Sequence, residues 1–180
     1  MHIKSRMMAF GGLALALCIL FMALGSVFET GTLFFLAASS FFVGIVIREA
    51  GMKLGLAFYL AAVLLGFILA PNKFYVVTFG AMGLYILAVE GAWRLLAKSS
   101  GRARKRGLFW VIKYLVFNVM YIPAVFLLQG FLFSRELSPA VLAGVLAAGQ
   151  AGLWIYDNAY EYAQAQIWTR LRGRLLRPGE

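Results

Sequence analysis

The sequence predicts an all-α, polytopic membrane protein: a bundle of six transmembrane helices, both termini in the cytoplasm, with a basic amphipathic C-terminal extension. Three observations predict it. Of the 180 residues, 63% are hydrophobic and only 13% charged, against roughly 45–50% and 25% in an ordinary soluble domain, so there is too little polar surface to coat a globule in water. Six apolar stretches approach the roughly 20 residues that a helix needs to cross a bilayer. The cations, finally, fall almost entirely on alternate sides of those stretches.

In chain order the spans are 8–28, 33–47, 54–70, 74–96, 108–128 and 139–160, the second being short. Glu29-Thr30-Gly31-Thr32 is a polar turn, and Arg48-Glu49-Ala50-Gly51 separates the second span from the third. Pro71-Asn72-Lys73 ends the third, because proline cannot continue a helix and asparagine tolerates turn geometry. The fourth loop runs from Lys98 through Ser99-Ser100-Gly101 to Arg106, and Ser138-Pro139 gives the last span an N-cap and a first-turn proline. Residues 1–160 read as one transmembrane domain and 161–180 as a cytoplasmic tail. From the end of the sixth span into that tail, Tyr156, Tyr160, Ile167, Leu171 and Leu175 trace one face, and Arg170, Arg174 and Arg177 another, as in a helix that lies at the cytoplasmic lipid interface or continues out of it.

Orientation follows from where the Lys and Arg stand. With the N-terminus inside, fourteen of the seventeen cations are cytoplasmic: Lys4, Arg6, Arg48, Lys53, Arg94, Lys98, Arg102, Arg104, Lys105, Arg106, Arg170, Arg172, Arg174 and Arg177. Lys73 and Arg135 alone fall outside, and Lys113 lies within a span. This is the positive-inside pattern of a cell-membrane protein, and all four tryptophans, Trp93, Trp110, Trp154 and Trp168, fall near the same inner boundary. The run Arg102–Arg106 is therefore read as a topology signal facing anionic lipid, not as a nucleic-acid patch. The first span has the make-up of a secretory signal, but five more follow and the charge count works best with it retained.

Helices in lipid associate largely through close approach at small residues. In the sixth span Ala140, Gly144, Ala148 and Gly152 recur every four residues beside a second stripe, Ala143, Ala147 and Ala151; the first span offers Gly12 and Ala16. These faces either pack the bundle or dock another membrane subunit. Ionisable groups inside spans are few: Glu90, Lys113, Asp157 and Glu161, all in the cytoplasmic third. Burying a lone charge is costly, so Lys113 is expected to pair with Glu90 or Asp157 in a cluster tying the fourth, fifth and sixth helices, with an ion relay as the competing role. Nearer the midplane are Ser39, Ser40, Asn118 and Gln150. Asn118 and Gln150 either bond each other or line a small polar cavity opening outward past Tyr121, Thr78, Tyr75 and the Asn72-Lys73 turn.

Catalytic motifs are missing. One histidine, His2, and one cysteine, Cys18, supply neither a Ser–His hydrolase, a multi-ligand metal site nor an intrachain disulfide. Asp157 is the single aspartate, where an intramembrane aspartyl protease needs two, and no GxxxxGK[ST] phosphate loop occurs. No repeat points to an inverted-repeat transporter. The chain is expected to be no enzyme and to hold no cofactor or metal.

The short-looped six-helix plan, the small residues Ala9, Gly11, Gly12, Ala14 and Ala16 of the first helix, and the segments Leu69-Ala70-Pro71-Asn72-Lys73 and Lys113-Tyr114-Leu115-Val116-Phe117-Asn118 resemble the membrane-embedded substrate-binding (S) components of energy-coupling-factor transporters. The resemblance implies a non-catalytic subunit that binds a vitamin-like ligand in its outer half for uptake. It also implies partners: a transmembrane coupling protein docked on the first helix, through Gly12 and Ala16 or Ala14 with Cys18, and two cytoplasmic ATPases. The ligand-binding candidates are then Ser40, Asn72, Lys73, Tyr75, Thr78, Asn118, Tyr121 and Gln150. A membrane scaffold without a ligand is the alternative, and a channel or ion-coupled carrier a third.

Overall fold

The computed structural model describes residues 2–70, 72–97, 102–132 and 138–170. These residues form α1 (His2–Val27), a 3-10 turn (Glu29–Gly31), α2 (Thr32–Ala50), α3 (Met52–Leu69), α4 (Lys73–Ala97), α5 (Arg102–Leu132) and α6 (Pro139–Tyr162), with α6 running on through a π-helical stretch, Ala163–Trp168. All six helices are long and apolar enough to cross a membrane, and no strand occurs among the described residues.

Helix ends differ from the sequence reading where charged residues flank a span. The second helix runs from Thr32 to Ala50 instead of stopping at residue 47, because Arg48 and Glu49 are good helix formers. Chain reversal is left to Gly51, whose φ of 91° lies in the region that favours glycine and which caps both α2 and α3. α5 likewise includes the basic run from Arg102 and carries Pro123 within it. Ser138 caps α6 as the sequence predicts, its hydroxyl accepting from the Val141 N–H, with Pro139 in the first turn. Leu171, Arg172, Arg174, Leu175 and Arg177 of the tail, and Arg135 between the fifth and sixth spans, lie outside the described residues, as do Lys98 and Pro71.

The chain divides into two compact units, Met1–Lys105 and Arg106–Glu180; the sequence reading places its single boundary at residue 160. In the first unit every pair among α1–α4 is in contact, α1 with α2 and α2 with α4 most extensively. Its core is apolar and includes Ala14, Cys18, Met22, Leu36, Val43, Ile47, Phe58, Ala62, Val76 and Phe79. Glycines set the helix separations: a Cβ at Gly66 would stand 2.9 Å from the Met22 Sδ, one at Gly83 would stand 2.9 Å from the Tyr59 ring, and one at Gly55 would strike Ile47. Such approaches provide the dispersion contact that holds helices together where lipid removes the hydrophobic drive.

The second unit is held differently. Bonds join Lys113 to Asp157, Asn118 to Gln150 and Tyr121 to the Val145 carbonyl. Residue numbers rise on α5 as they fall on α6, so the two helices run antiparallel.

Candidate functional site

The charged groups inside the spans fall into two sets, one in each unit. At the end of α2, the Arg48 guanidinium donates to the Glu90 carboxylate on α4, Nε to Oε1 at 2.7 Å, with Nη2 closing a second contact. Glu90 is 5% exposed. One turn further on, Arg94 donates to the Ile47 carbonyl of α2, which also accepts the Gly51 N–H. A cation satisfying the last carbonyls of a helix is the expected response to its macrodipole. On α5, Lys113 is 4% exposed and donates to Asp157 Oδ2 at 2.8 Å, with Glu161 Oε1 at 3.5 Å. The Phe109 and Trp110 rings lie 4.5 and 5.3 Å from the ammonium.

The sequence groups Glu90, Lys113, Asp157 and Glu161 together. The structure pairs Glu90 with Arg48 of α2, and Lys113 with the two acids of α6. Arg48 was legible in the sequence only as a topology charge. It stands 42 residues before Glu90, and nothing in a one-dimensional pattern says that α2 lies against α4.

The polar candidates of α5 and α6 form a ladder beside the Lys113–Asp157 pair. Gln150 Nε2 donates to Asn118 Oδ1 at 2.8 Å, and Asn118 Nδ2 donates to the Tyr114 carbonyl at 2.8 Å. The Tyr121 hydroxyl donates to the Val145 carbonyl at 2.8 Å, and its ring stacks on Phe117 with centroids 4.9 Å apart. Asn118, Tyr121 and Gln150 are each half-buried. This arrangement is the first of the two that the sequence leaves open, in which the amides bond each other.

In the first unit the polar candidates bond helix ends and helix backbone. Asn72 Oδ1 accepts the Phe74 N–H at the start of α4, while Lys73 Nζ donates to the Phe67 and Ala70 carbonyls at the end of α3. Thr78 bonds the Phe74 carbonyl, and Ser40 the Ala37 carbonyl, the latter fully buried. Ser39, equally buried, bonds the Leu36 carbonyl, while its own carbonyl accepts from the Cys18 thiol. Tyr75 is half-buried against the core.

The small-residue positions separate cleanly. Of the two pairs on α1, Ala14 and Cys18 are 3% and 0% exposed within the four-helix core, whereas Gly12 and Ala16 are exposed. On α6, Ala140, Gly144, Ala148 and Gly152 are all exposed, and a Cβ added at Gly12, Gly144 or Gly152 would meet nothing within 4 Å. The small residue that α6 does use is Gly149, against which the Tyr121 ring lies. Gly149 stands in neither alanine-glycine stripe, so spacing alone passes over it.

Compared with known proteins, the chain matches no family model, no curated protein and no solved structure.

Proposed function

We propose that the chain is a non-catalytic, multi-pass subunit of a cell-membrane complex, seated with both termini in the cytoplasm and working through association with other membrane proteins. The observation that carries this reading is the exposure of the small-residue faces Gly12–Ala16 on α1 and Ala140–Gly144–Ala148–Gly152 on α6, while other small residues, among them Gly55, Gly66, Gly83 and Gly149, make the chain's own close approaches. In lipid, small-xxx-small faces favour docking of a further helix at short range.

Such a subunit either organises its partners or, like the S components it resembles, also binds a small vitamin-like ligand whose uptake partner ATPases drive. The hydrogen bonding favours the first. Asn118, Gln150, Tyr121, Thr78, Lys73, Asn72 and Ser40 all bond within the chain. One feature supports the second: the Asn118–Gln150 bond is half-buried, where a ligand amide or hydroxyl can compete for it.

The test is purification of the tagged chain from its native membrane in mild detergent, with co-purifying proteins identified by mass spectrometry. The proposal expects a stoichiometric membrane partner that is lost when Gly12 and Gly144 are replaced by leucine. Recovery of a transmembrane protein with two ATPases selects the transport form, and partners without ATPases select the scaffold. A chain that purifies alone, with and without those substitutions, overturns the proposal.

A further inference from the structure

The last part of α6 departs from α-helical geometry. Over Ala163–Trp168 the helix is widened into a π turn, entered at Ala163, whose N–H is shared between the Ala159 and Tyr160 carbonyls. The Thr169 hydroxyl reaches the Gln164 carbonyl five residues back at 3.1 Å. The segment Ala-Gln-Ala-Gln-Ile-Trp contains no proline or glycine, so no backbone breaker accounts for the change. π turns are rare in helices and recur where a helix must yield or present a group.

Inside the turn sits a second anomaly. Gln164 is 4% exposed, and neither its Nε2 nor its Oε1 has a hydrogen-bond partner among the described residues. A carboxamide buried without partners opposes the closed form, because opening returns it to groups that can bond it. On one side of the turn, α6 is clamped to α5 by the Lys113–Asp157 and Lys113–Glu161 contacts. The turn closes at buried Trp168, and exposed Thr169 and Arg170 follow it. The turn and its unpartnered carboxamide thus directly follow the part of α6 that Lys113 ties to α5.

We propose that residues 163–168 are a hinge, a short stretch that opens locally while the body of α6 before it stays closed. Gln164 sets how readily it opens. Hinges are drawn from the low-stability end of a structure, where helix hydrogen bonds are few or poorly formed.

The experiment is amide hydrogen exchange followed by mass spectrometry on the full-length chain in lipid nanodiscs, comparing peptides over 163–169 with those over 150–160. Three proteins are compared: the wild type, Gln164→Leu, and a chain with Ala165 deleted, which removes the extra residue that a π turn accommodates. In the wild type, 163–169 exchanges faster than 150–160 by about tenfold or more, the scale on which one unpartnered buried amide shifts an opening equilibrium. Gln164→Leu slows that exchange, and the deletion brings it toward the rate of the helix body. Lipid shielding is common to wild type and Gln164→Leu, so their difference reads the turn alone and decides the matter even if the deletion fails to fold. Equal protection of the two regions in the wild type, or a Gln164→Leu rate that is unchanged or higher, overturns the hinge.

Discussion

Of the apolar stretches of α2 and α4, 44% lies buried inside the protein, against 6% for those of α5 and α6. The first unit is a packed object, with an apolar core and helix separations set by glycines. The second is two helices joined at points: an ion pair, an amide pair and a tyrosine bonded to a backbone carbonyl. In a membrane these are distinct ways of holding helices together. Apolar surface gains little by leaving lipid for protein, so a packed unit depends on many small dispersion contacts, and a sparse one on a few polar bonds. Damage to the first should be graded and damage to the second concentrated.

The largest effect is expected at Lys113. Replacing it with methionine removes the ammonium bonded to Asp157, which is 3% exposed, and removing one partner of a buried pair costs about 3–5 kcal/mol. Thermal unfolding of the detergent-purified chain should show a clear drop for Lys113→Met, with the double variant Lys113→Met/Asp157→Leu recovering much of it. Unchanged unfolding of the single variant would mean that the pair contributes nothing to α5–α6 cohesion. The equivalent change in the first unit is milder. Arg48 is 35% exposed along its side chain, so its attraction to Glu90 is already partly screened by solvent or headgroups and less is lost when it becomes methionine.

Next in size is overpacking in the four-helix unit. A leucine at Gly83 meets the edge of the Tyr59 ring, and that ring is pinned by its hydroxyl bond to the Gly80 carbonyl. The ring cannot swing away without losing the bond, so Gly83→Leu should destabilise by about 1–3 kcal/mol. Tyr59→Phe/Gly83→Leu should lose less than the sum of the two single changes, which a thermal-shift double-mutant cycle resolves.

Asn118→Leu comes third. It removes the acceptor of Gln150 and the bond to the Tyr114 carbonyl, and such interhelical bonds in membranes average about 0.6 kcal/mol with a maximum near 1.7. A loss within that range, measured by unfolding in the same detergent, fits a packing role. If Asn118→Leu instead leaves stability unchanged but abolishes stabilisation by an added ligand, the amides belong to a binding site.

How much of this was legible in the sequence follows the same division. The six helices were, because hydropathy and the charged or proline-bearing turns are local signals, and so was the Ser138–Pro139 start of α6. Which helices touch was not. Arg48 and Glu90 meet only because α2 packs on α4, a three-dimensional fact with no one-dimensional trace. Asn118 with Gln150, and Lys113 with Asp157, were within reach because a short loop forces consecutive helices to run antiparallel, so their polar residues can be paired by depth. The π turn at 163–168 left no mark in Ala-Gln-Ala-Gln-Ile-Trp, whose residues all suit an ordinary helix.

The smallest expected effect on stability is the most informative about function. At Gly144 an added Cβ meets nothing within 4 Å, and the residue is exposed. Gly144→Leu should therefore leave the isolated chain as stable as the wild type, within about 0.5 kcal/mol, and gain slightly from better helix propensity. Gly83→Leu makes the same chemical change on a face already in use, so the pair separates glycines that pack the chain from glycines left for something else. If Gly144→Leu destabilises the purified chain as Gly83→Leu does, the α6 stripe is internal packing and the docking role falls. Unaltered stability together with loss of the co-purifying partner shows the stripe acting on another protein, an effect that stability measurements on the isolated chain cannot imitate.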